Sequence, residues 1–238
     1  MQQYLYETHL HTAQSSKCGK IDAAEMIRLY KTAGYTGVVI TDHFYGGNTA
    51  IDRKLPWDQW VEAFCAGYEK AKEEGDRIGL QVFFGWEAGF HGTEFLIFGL
   101  DKRWLLDHPQ IKDCTIREQY EMVHEDGGYV IHAHPYRIRD YHLDIHLYPD
   151  CIDAVEVYNA THSTIIRPSN AEDLRANRLA EIYAKEYDLP MTAGSDQHGS
   201  AMIGGGMLFD RKMEDIHDLI SAIQNREAVA LLDGSQTK

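Results

Sequence analysis

Short apolar runs typical of β-strands alternate along this chain with segments that have the apolar spacing of helices. The candidate strands are residues 4–8, 37–41, 80–87, 95–100, 129–132, 152–158 and 191–195, and the candidate helices are residues 23–33, 57–74, 116–125, 171–187 and 213–223. Strands that alternate with helices are joined by right-handed crossovers, which produce parallel pairing. The order of the segments therefore predicts an α/β fold with a mainly parallel sheet.

Residues that favour metal ions follow most of these strands. They are His9 and His11 in THLHT, His43 in ITDH, Glu87 in GWE, His134 in HAHP, and Asp196 and His198 in GSDQH. Because the carboxyl ends of parallel strands meet at one edge of a sheet, we expect these side chains to converge. The two histidines of THLHT would also share one face of an extended strand. The pattern predicts a metal-dependent hydrolase.

The length and charge of the chain limit its organisation and its partners. With 238 residues, 44% of them hydrophobic, it can bury one large core, so we expect a single domain over residues 1–238. The 23 Lys and Arg residues against 37 Asp and Glu residues give a formal charge of −14, which argues against duplex nucleic acid as a partner. A phosphorylated substrate would need a local positive site, which divalent cations would supply. No oligomeric state follows from the composition.

Cysteine usage and the amino terminus indicate a reduced, unexported protein. The four cysteines, Cys18, Cys65, Cys114 and Cys151, are far apart and form no CxxC pair, so neither a zinc ribbon nor a disulfide framework is expected. The chain enters a strand-like run without a basic segment and an apolar stretch, and it has no run of about 18 apolar residues. We therefore expect a soluble, cytoplasmic protein that does not use a membrane as a partner.

The motifs THLHT, ITDH, GWE, HAHPYR and GSDQH occur in an order and spacing that resemble the PHP family, the polymerase and histidinol phosphatase domain. The resemblance extends from Glu7 to at least Gly199. It implies a distorted (β/α)7 barrel that binds two or three divalent ions and hydrolyses phosphate esters. The implied ligands are His9, His11, Glu87 and Asp196 for one ion, Glu87 and His134 for a second, and His43 and His198 for a third. Such imidazole and carboxylate ligands suit zinc, manganese or iron.

Two positions depart from the pattern of the family. Relatives usually supply an Asp or His to the third ion after the first histidine pair, but here the loop is AQSSKCGK, and Cys18 is the nearest candidate. Its thiolate could bind a metal such as zinc, or the cysteine could simply pack near the site. Many relatives also place a histidine near the start of the strand after GWE, where this chain has FHGTEFLIFG. We favour Glu94 over His91 as the replacement ligand, because Glu94 lies immediately before the strand.

Other residues are candidates for substrate binding and catalysis. Arg137 in HPYR is placed to bind phosphate oxygens, with a surface salt bridge as the alternative. Lys20 and Asn159 are weaker candidates for substrate contact. Asp196 or His198 could assist proton transfer, although a residue that binds a metal is a poor free base.

The remaining features have structural explanations beside the functional ones. Residues 44–56 and 137–150 follow ligand motifs directly, so we expect loops over the site. Residues 204–206 are all glycine and predict a tight turn, because their spacing does not match a nucleotide-binding motif. His132 is either a ligand or a supporting residue, and Glu156 either orients a ligand or caps a backbone group.

The predicted function is hydrolysis of a small phosphomonoester or phosphodiester by metal-activated water, and histidinol phosphate is one candidate substrate. A single-strand exonuclease is an alternative, because it needs only a narrow basic track. A second alternative is a non-catalytic metal-binding module, which would arise if the altered ligands abolish the chemistry. An amidohydrolase is also chemically conceivable.

Overall fold

The computed structural model describes residues 2–138, 144–162, 171–200 and 203–235. Its strands are β1 (Tyr4–Glu7), β2 (Gly37–Ile40), β3 (Gln81–Phe90), β4 (Thr93–Phe98), β5 (Tyr129–Ala133), β6 (Ala154–Asn159), β7 (Met191–Gly194), β8 (Gly205–Phe209) and β9 (Ala230–Asp233). Its α-helices are α1 (Ala23–Thr32), α2 (Trp57–Ile78), α3 (Lys102–Asp107), α4 (Ile116–Glu125), α5 (Ala171–Glu186) and α6 (Ile216–Gln224). In this described part of the chain, no helix is long and apolar enough to cross a membrane.

The strands form one sheet in the order β7-β6-β5-β4-β3-β2-β1-β8-β9. One hydrophobic cluster takes side chains from strands across the sheet and from α6, and it includes Tyr6, Val39, Leu96, Ile131, Ala193 and Phe209. Residues on strands so far apart in the order can share one cluster only if the sheet curls around it. The edge strands β7 and β9 indeed lie close together. The α/β barrel expected from the sequence is confirmed, with nine strands among the described residues instead of seven strand–helix units.

The expectation of a mainly parallel sheet is wrong, because parallel and antiparallel pairings are equally frequent among the described strands. The pairs β1–β2, β2–β3, β5–β6 and β6–β7 are parallel, whereas β1–β8, β3–β4, β4–β5 and β8–β9 are antiparallel. Only His91 and Gly92 separate β3 from β4, and so short a connection allows antiparallel pairing alone. The apolar pattern predicts both β3 and β4, but it does not predict the direction of β4.

The glycine run at residues 204–206 is not only a turn, as the sequence predicts, because Gly205 and Gly206 begin β8. A β-carbon on Gly205 would lie 2.4 Å from the carbonyl oxygen of Gly194, and one on Gly206 would lie 2.5 Å from that of Tyr6. Gly206 also has a φ of 140°, which side chains rarely permit. These glycines therefore let β8 approach β1 and the end of β7 closely.

Local capping explains where several helices begin and end. The Asp22 side chain accepts a hydrogen bond from Ala24 N at the start of α1, and Thr115 forms a reciprocal capping box with Glu118 at the start of α4. Gly79 ends α2 in a left-handed conformation. These helices pack on the outside of the barrel and leave one end of it to the loops that carry the candidate ligands.

Candidate metal centre

The candidate ligands lie together at one edge of the sheet. His9 and His11 follow β1, His43 follows β2, Glu87 lies within β3, Glu94 is the second residue of β4, His134 follows β5, and Asp196 and His198 follow β7. Since β4 runs antiparallel to β3 and β5, its start lies at the edge where those two strands end. Glu94 therefore reaches the site from inside β4, and not from the position before the strand that the sequence indicates.

The first group of ligand atoms comes from His9, His11 and Asp196. The Nε2 atoms of His9 and His11 are 3.2 Å apart, and His11 Nε2 is 3.2 Å from Asp196 Oδ1. All three side chains are fully or almost fully buried. The ligand atoms of the group lie within 4.8 Å of one another, which is close enough to contact one ion.

Glu87 connects this first group to the other ligands. Its Oε1 lies 3.3 Å from His9 Nε2 and 3.1 Å from His134 Nε2. Its Oε2 lies 2.6 Å from His43 Nδ1, which is also 3.7 Å from Glu94 Oε1. One carboxylate thus faces two neighbouring groups, the arrangement expected of a residue that bridges two ions.

Another group of ligand atoms comes from His11, His43 and His198, and these atoms also lie within 4.8 Å of one another. The His11 ring stacks on both partners, with centroids 4.4 Å from His43 and 4.8 Å from His198. Cys18, half-buried in the loop after β1, lines the same cavity as His43 and His198. Burial raises the pKa of its thiol, but the neighbouring His198 and then His43 outweigh burial and lower the pKa to about 7.

The side chains fit a divalent cation better than they fit one another. His43 Nδ1 and Glu87 Oε2 are buried and lie 2.6 Å apart, but the angle of the contact gives neither atom the hydrogen bond that a buried polar atom normally has. Mixed imidazole and carboxylate ligands are the set that zinc, manganese and iron prefer. The arrangement can therefore hold metal ions at adjacent positions.

The electrostatics of the cluster also favour positive charge. Burial alone would raise the pKa of Glu87, but His43 and His9 lower it well below its usual range. Burial likewise opposes ionisation of Asp196, yet His198 and His9 hold its pKa well below the usual range. Both carboxylates are therefore anionic in a buried setting, where a divalent ion is the natural counter-charge.

The histidines differ in the direction of their pKa shifts because their neighbours differ. Burial and then the nearby His43 lower the pKa of His11 to about 3, so its ring is neutral and carries a free lone pair. For His9, burial opposes protonation, but Glu156 and then Asp196 raise its pKa well above the usual value.

Glu156 in β6 supports this cluster from behind. It accepts hydrogen bonds from His134 N at 3.0 Å and from Asn159 Nδ2 at 3.1 Å, and its Oε1 lies 2.9 Å from His9 Nδ1. The two roles predicted for Glu156 therefore both apply: it orients the His9 ring and it accepts a hydrogen bond from the backbone of His134. Asn159 is fully buried and reaches Asp196 Oδ2 at 3.4 Å.

Two further buried carboxylates hold the loops, and the sequence analysis missed both. Glu7 accepts hydrogen bonds from His9 N at 2.9 Å, Ser195 N at 2.8 Å and Tyr30 Oη at 2.9 Å, so it fastens the end of β1 to the end of β7. Burial raises its pKa to about 7. The only sign of this role in the sequence is the position of Glu7, two residues before His9.

Asp42, beside His43, is the second of these carboxylates. It accepts hydrogen bonds from Thr12 N at 2.7 Å and from Ser16 Oγ at 2.6 Å, and Ser16 Oγ in turn accepts one from His43 N at 3.0 Å. These contacts connect the loop after β1 to the end of β2. Both ligand-bearing segments are therefore held in place before any ion binds.

A cavity of about 750 Å³ opens directly onto the cluster. The residues that line it include Cys18, Lys20, Asn48, His91, Arg137 and Thr161, together with the ligands His43, Glu94, Asp196 and His198. Arg137 contacts Glu94, and its Nη1 lies 3.4 Å from Asp196 Oδ2, so it sits between the cluster and the cavity. Of the expected loops, Gly46, Gly47 and Asn48 line the cavity, while Tyr141 and His142 lie outside the described residues.

His132 is separated from the cluster although it is only two residues from His134. Its ring stacks on Phe95 at 5.0 Å and packs edge-on against Tyr183 at 6.0 Å, and burial lowers its pKa to about 3. The strand ends at Ala133, and His134 has a left-handed φ of 29°, which breaks the alternation that would place both histidines on one face. Asp196 has a similarly strained φ of 50°.

Comparisons with known proteins agree with this geometry. A family model described as PHP-associated matches residues 175–228. A two-domain protein from Bacteroides vulgatus ATCC 8482, described as containing a predicted PHP-like metal-dependent phosphoesterase, superposes with a TM-score of 0.68 at 14% identity. The alignment covers 95% of this chain and 64% of that protein, so this chain spans less than two thirds of it. No curated protein matches the chain.

Two other solved structures have the same fold. A protein from Bifidobacterium adolescentis ATCC 15703, described as a candidate metal-dependent phosphoesterase, gives a TM-score of 0.57 at 16% identity and covers 91% of this chain and 94% of its own. PsfC from Pseudomonas syringae PB-5123 gives 0.62 at 19% identity, with 93% and 89% covered. The chain therefore has a PHP-like fold. The resemblance to the PHP family that the motifs indicate is confirmed.

Proposed function

We propose that this protein is a metal-dependent phosphoesterase that cleaves a small phosphorylated substrate. The observation that carries the proposal is the buried cluster at the end of the barrel, in which imidazole and carboxylate atoms from separate strands lie within 4.8 Å of one another. The fold and the descriptions of two structural neighbours support the same activity. The negative charge of the chain, −14, suits a compact substrate captured by a local cation site.

In this proposal the ligands act in two adjacent sets. His9, His11 and Asp196 form the first set, and Glu87 joins it to His134 and Glu94 in the second. Divalent ions held there would neutralise phosphoryl charge and activate water for in-line attack. Zinc, manganese and iron all suit these ligands. Glu156 and Asn159 act through the ligands, so Asn159 is a positioning residue and not a contact to substrate.

The substrate would enter the cavity and meet cationic side chains at its wall. Arg137 lies at the border of the cluster, where its planar guanidinium suits two phosphate oxygens at once. Lys20 lines the same cavity and is exposed, so it would meet the part of the substrate beyond the phosphate. His198 Nδ1 lies 2.7 Å from the carbonyl oxygen of Asp196 and donates to it, which leaves Nε2 free to accept a proton or to bind an ion.

Chelation and a matched pair of variants test the proposal. Protein treated with a chelator should lose turnover of an aryl phosphate and regain it with manganese, iron or zinc. Asp196→Asn should lower kcat/KM at least about a hundredfold, because loss of even a supporting residue at a metal site costs about 10–100-fold. The control Asp210→Asn changes an exposed carboxylate of the same type and should behave like the wild type.

Two results would contradict the proposal: turnover that persists without metal, and Asp196→Asn protein with full activity. The same assay, repeated with phosphomonoesters, a nucleotide bisphosphate and short oligonucleotides, separates a small-molecule phosphoesterase from an exonuclease. Metal-loaded protein that cleaves none of them would indicate a binding module instead.

A further inference from the structure

We propose that an apolar cavity between α5, α6 and β9 is a separate binding site, which takes a small amphiphile with an apolar chain of about ten carbons and a carboxylate head. The cavity has a volume of about 320 Å³. Of the described residues, none lines both this cavity and the one at the metal cluster. The two sites are therefore distinct, and this one does not depend on the proposed function.

The cavity lies at the seam where the barrel closes. β7 and β9 are the two ends of the strand order, and they lie close together without being paired to each other. Met191, at the start of β7, and Leu231 in β9 both line the cavity. Side chains, and not backbone hydrogen bonds, therefore occupy the gap between the two edges, and they leave part of it unfilled.

The walls of the cavity are apolar. They are formed mainly by Leu189, Met191, Met207, Ile223, Ala228 and Leu231. Met207 and Ile223 belong to the hydrophobic cluster that the sheet encloses, and Leu231 packs against that cluster as well. A buried water needs two to four polar partners, and such walls offer few of them. The cavity therefore favours an apolar group over water.

The volume sets the size of that apolar group. An apolar cavity of about 150 Å³ accommodates benzene, so at the same packing this one accommodates about ten to twelve carbon atoms. Met191 and Met207 contribute flexible, unbranched side chains, which adapt to the shape of a bound chain. A linear chain of about this length is therefore the expected occupant.

The mouth of the cavity carries charged side chains. Lys185, Asp188 and Arg226 line it and are exposed. Lys185 Nζ donates to Glu181 Oε1 at 2.5 Å, within the same helix. Arg226 Nη2 donates to the carbonyl oxygen of Asp188 and, at 2.7 Å, to its Oδ1. Within the described part of the chain, Nε and Nη1 of Arg226 have no hydrogen-bond partner.

These two donors of Arg226 favour a carboxylate as the head of the ligand. The Asp188 side chain is 88% exposed, and an ion pair so open to solvent contributes little, so it does not exclude a second anion. A guanidinium binds a carboxylate through two parallel hydrogen bonds. The head would bind at the mouth, and the apolar chain would occupy the cavity behind it.

Calorimetry of the wild type with carboxylates of increasing length tests the inference. Affinity should rise about fourfold per methylene from hexanoate to decanoate, which corresponds to about 0.8 kcal/mol for each buried CH₂. It should level off beyond about twelve carbons, because the cavity is then full. 1-Decanol should bind at least about tenfold more weakly than decanoate, because it lacks the charge. No binding of decanoate, or an affinity that keeps rising with length, would overturn the inference.

Two variants separate the cavity from its mouth. Ala228→Phe fills the cavity and should abolish binding of decanoate. Arg226→Gln removes the charge and should lower the affinity for decanoate about tenfold while leaving that for 1-decanol unchanged. Arg211→Gln is the matched control, since Arg211 is 44% exposed and pairs with Asp218 and Glu227 outside the cavity, and it should bind decanoate like the wild type. Circular dichroism checks that each variant is folded.

Wild-type affinity for decanoate in folded Ala228→Phe, or in Arg226→Gln, would contradict the proposed site. Asp196→Asn should bind decanoate as the wild type does, because it changes only the metal cluster. Loss of decanoate binding in that variant would place the carboxylate at the cluster and would also overturn the inference. None of these results bears on the phosphoesterase proposal, which is tested by metal-dependent turnover and not by binding of decanoate.

Discussion

His9 illustrates how a single buried carboxylate sets the chemistry of a ligand. Its Nδ1 lies 2.9 Å from Glu156 Oε1, and a proton held there makes Nε2, which faces Glu87 and Asp196, the atom that an ion would contact. Both residues are buried, with His9 0% and Glu156 1% exposed. The orientation of the ring therefore depends on this one partner.

Glu156→Gln should weaken metal binding about 10–100-fold, in the range found for supporting residues at metal sites. An amide has one acceptor oxygen, whereas Glu156 meets donors on both of its oxygens, so one donor must face the NH₂ group. Metal titration followed by calorimetry measures the change. Glu181→Gln, on the partly exposed surface of α5, is the control and should not alter the affinity. An unchanged affinity in Glu156→Gln would contradict the orienting role.

Between elements, one carboxylate joins the helices α1 and α2. Glu74 Oε1 accepts hydrogen bonds from Arg28 Nη1 at 2.9 Å and from Arg77 Nη2 at 2.7 Å, and its Oε2 accepts one from Arg77 Nε at 2.8 Å. Arg77, followed by Arg28, lowers the pKa of Glu74 to about 2. The contact is therefore a charge-assisted bond between helices, and it depends on pH.

Because the pKa of Glu74 is depressed in the fold, its contribution to stability is complete above its usual pKa of 4.5 and is lost as the pH falls toward about 2. The difference in unfolding free energy between the wild type and Glu74→Gln should be constant near neutral pH and shrink below 4.5. Urea unfolding at a series of pH values measures it. Glu73→Gln, an exposed neighbour, should follow the wild type throughout, and a Glu74→Gln difference independent of pH would refute the prediction.

The element boundaries show where local signals suffice. The capping box at Thr115 marks the start of α4, and the helix spans Ile116–Glu125 as expected. The sequence has no comparable local motif at α3, β8 or β9, and these three elements were not predicted. β9 is a short edge strand, and β8 opens with two glycines, so neither has the alternating apolar pattern of a half-buried strand. Their pairing comes from the curvature of the whole sheet.

At the scale of the whole molecule, the candidate ligands connect β1, β2, β3, β4, β5 and β7. In the metal-free protein they bring several buried charges together at one end of the barrel. An ion that binds only this folded arrangement must stabilise it by mass action.

Metal should therefore raise the melting temperature. At a free concentration about 100 times Kd, binding contributes about 2.7 kcal/mol, which corresponds to a rise of about 5–10 °C for a domain of this size. Differential scanning calorimetry with and without manganese or zinc measures the shift. Asp196→Asn should show a smaller rise and Asp210→Asn the full one. A melting temperature unaffected by metal would contradict binding at this site.

The sequence by itself determined the class of the fold and the residues of the cluster, because strand-ending motifs such as THLHT and GSDQH carry both the apolar pattern and the ligand types. Only the tertiary structure decided which side chains meet. The direction of β4 brought Glu94 into the cluster, and the left-handed backbone at His134 separated it from His132. Glu7, Asp42 and Glu156 acquired their supporting contacts only when distant strands came together. Such contacts join residues that are far apart in the chain, so local sequence patterns cannot predict them.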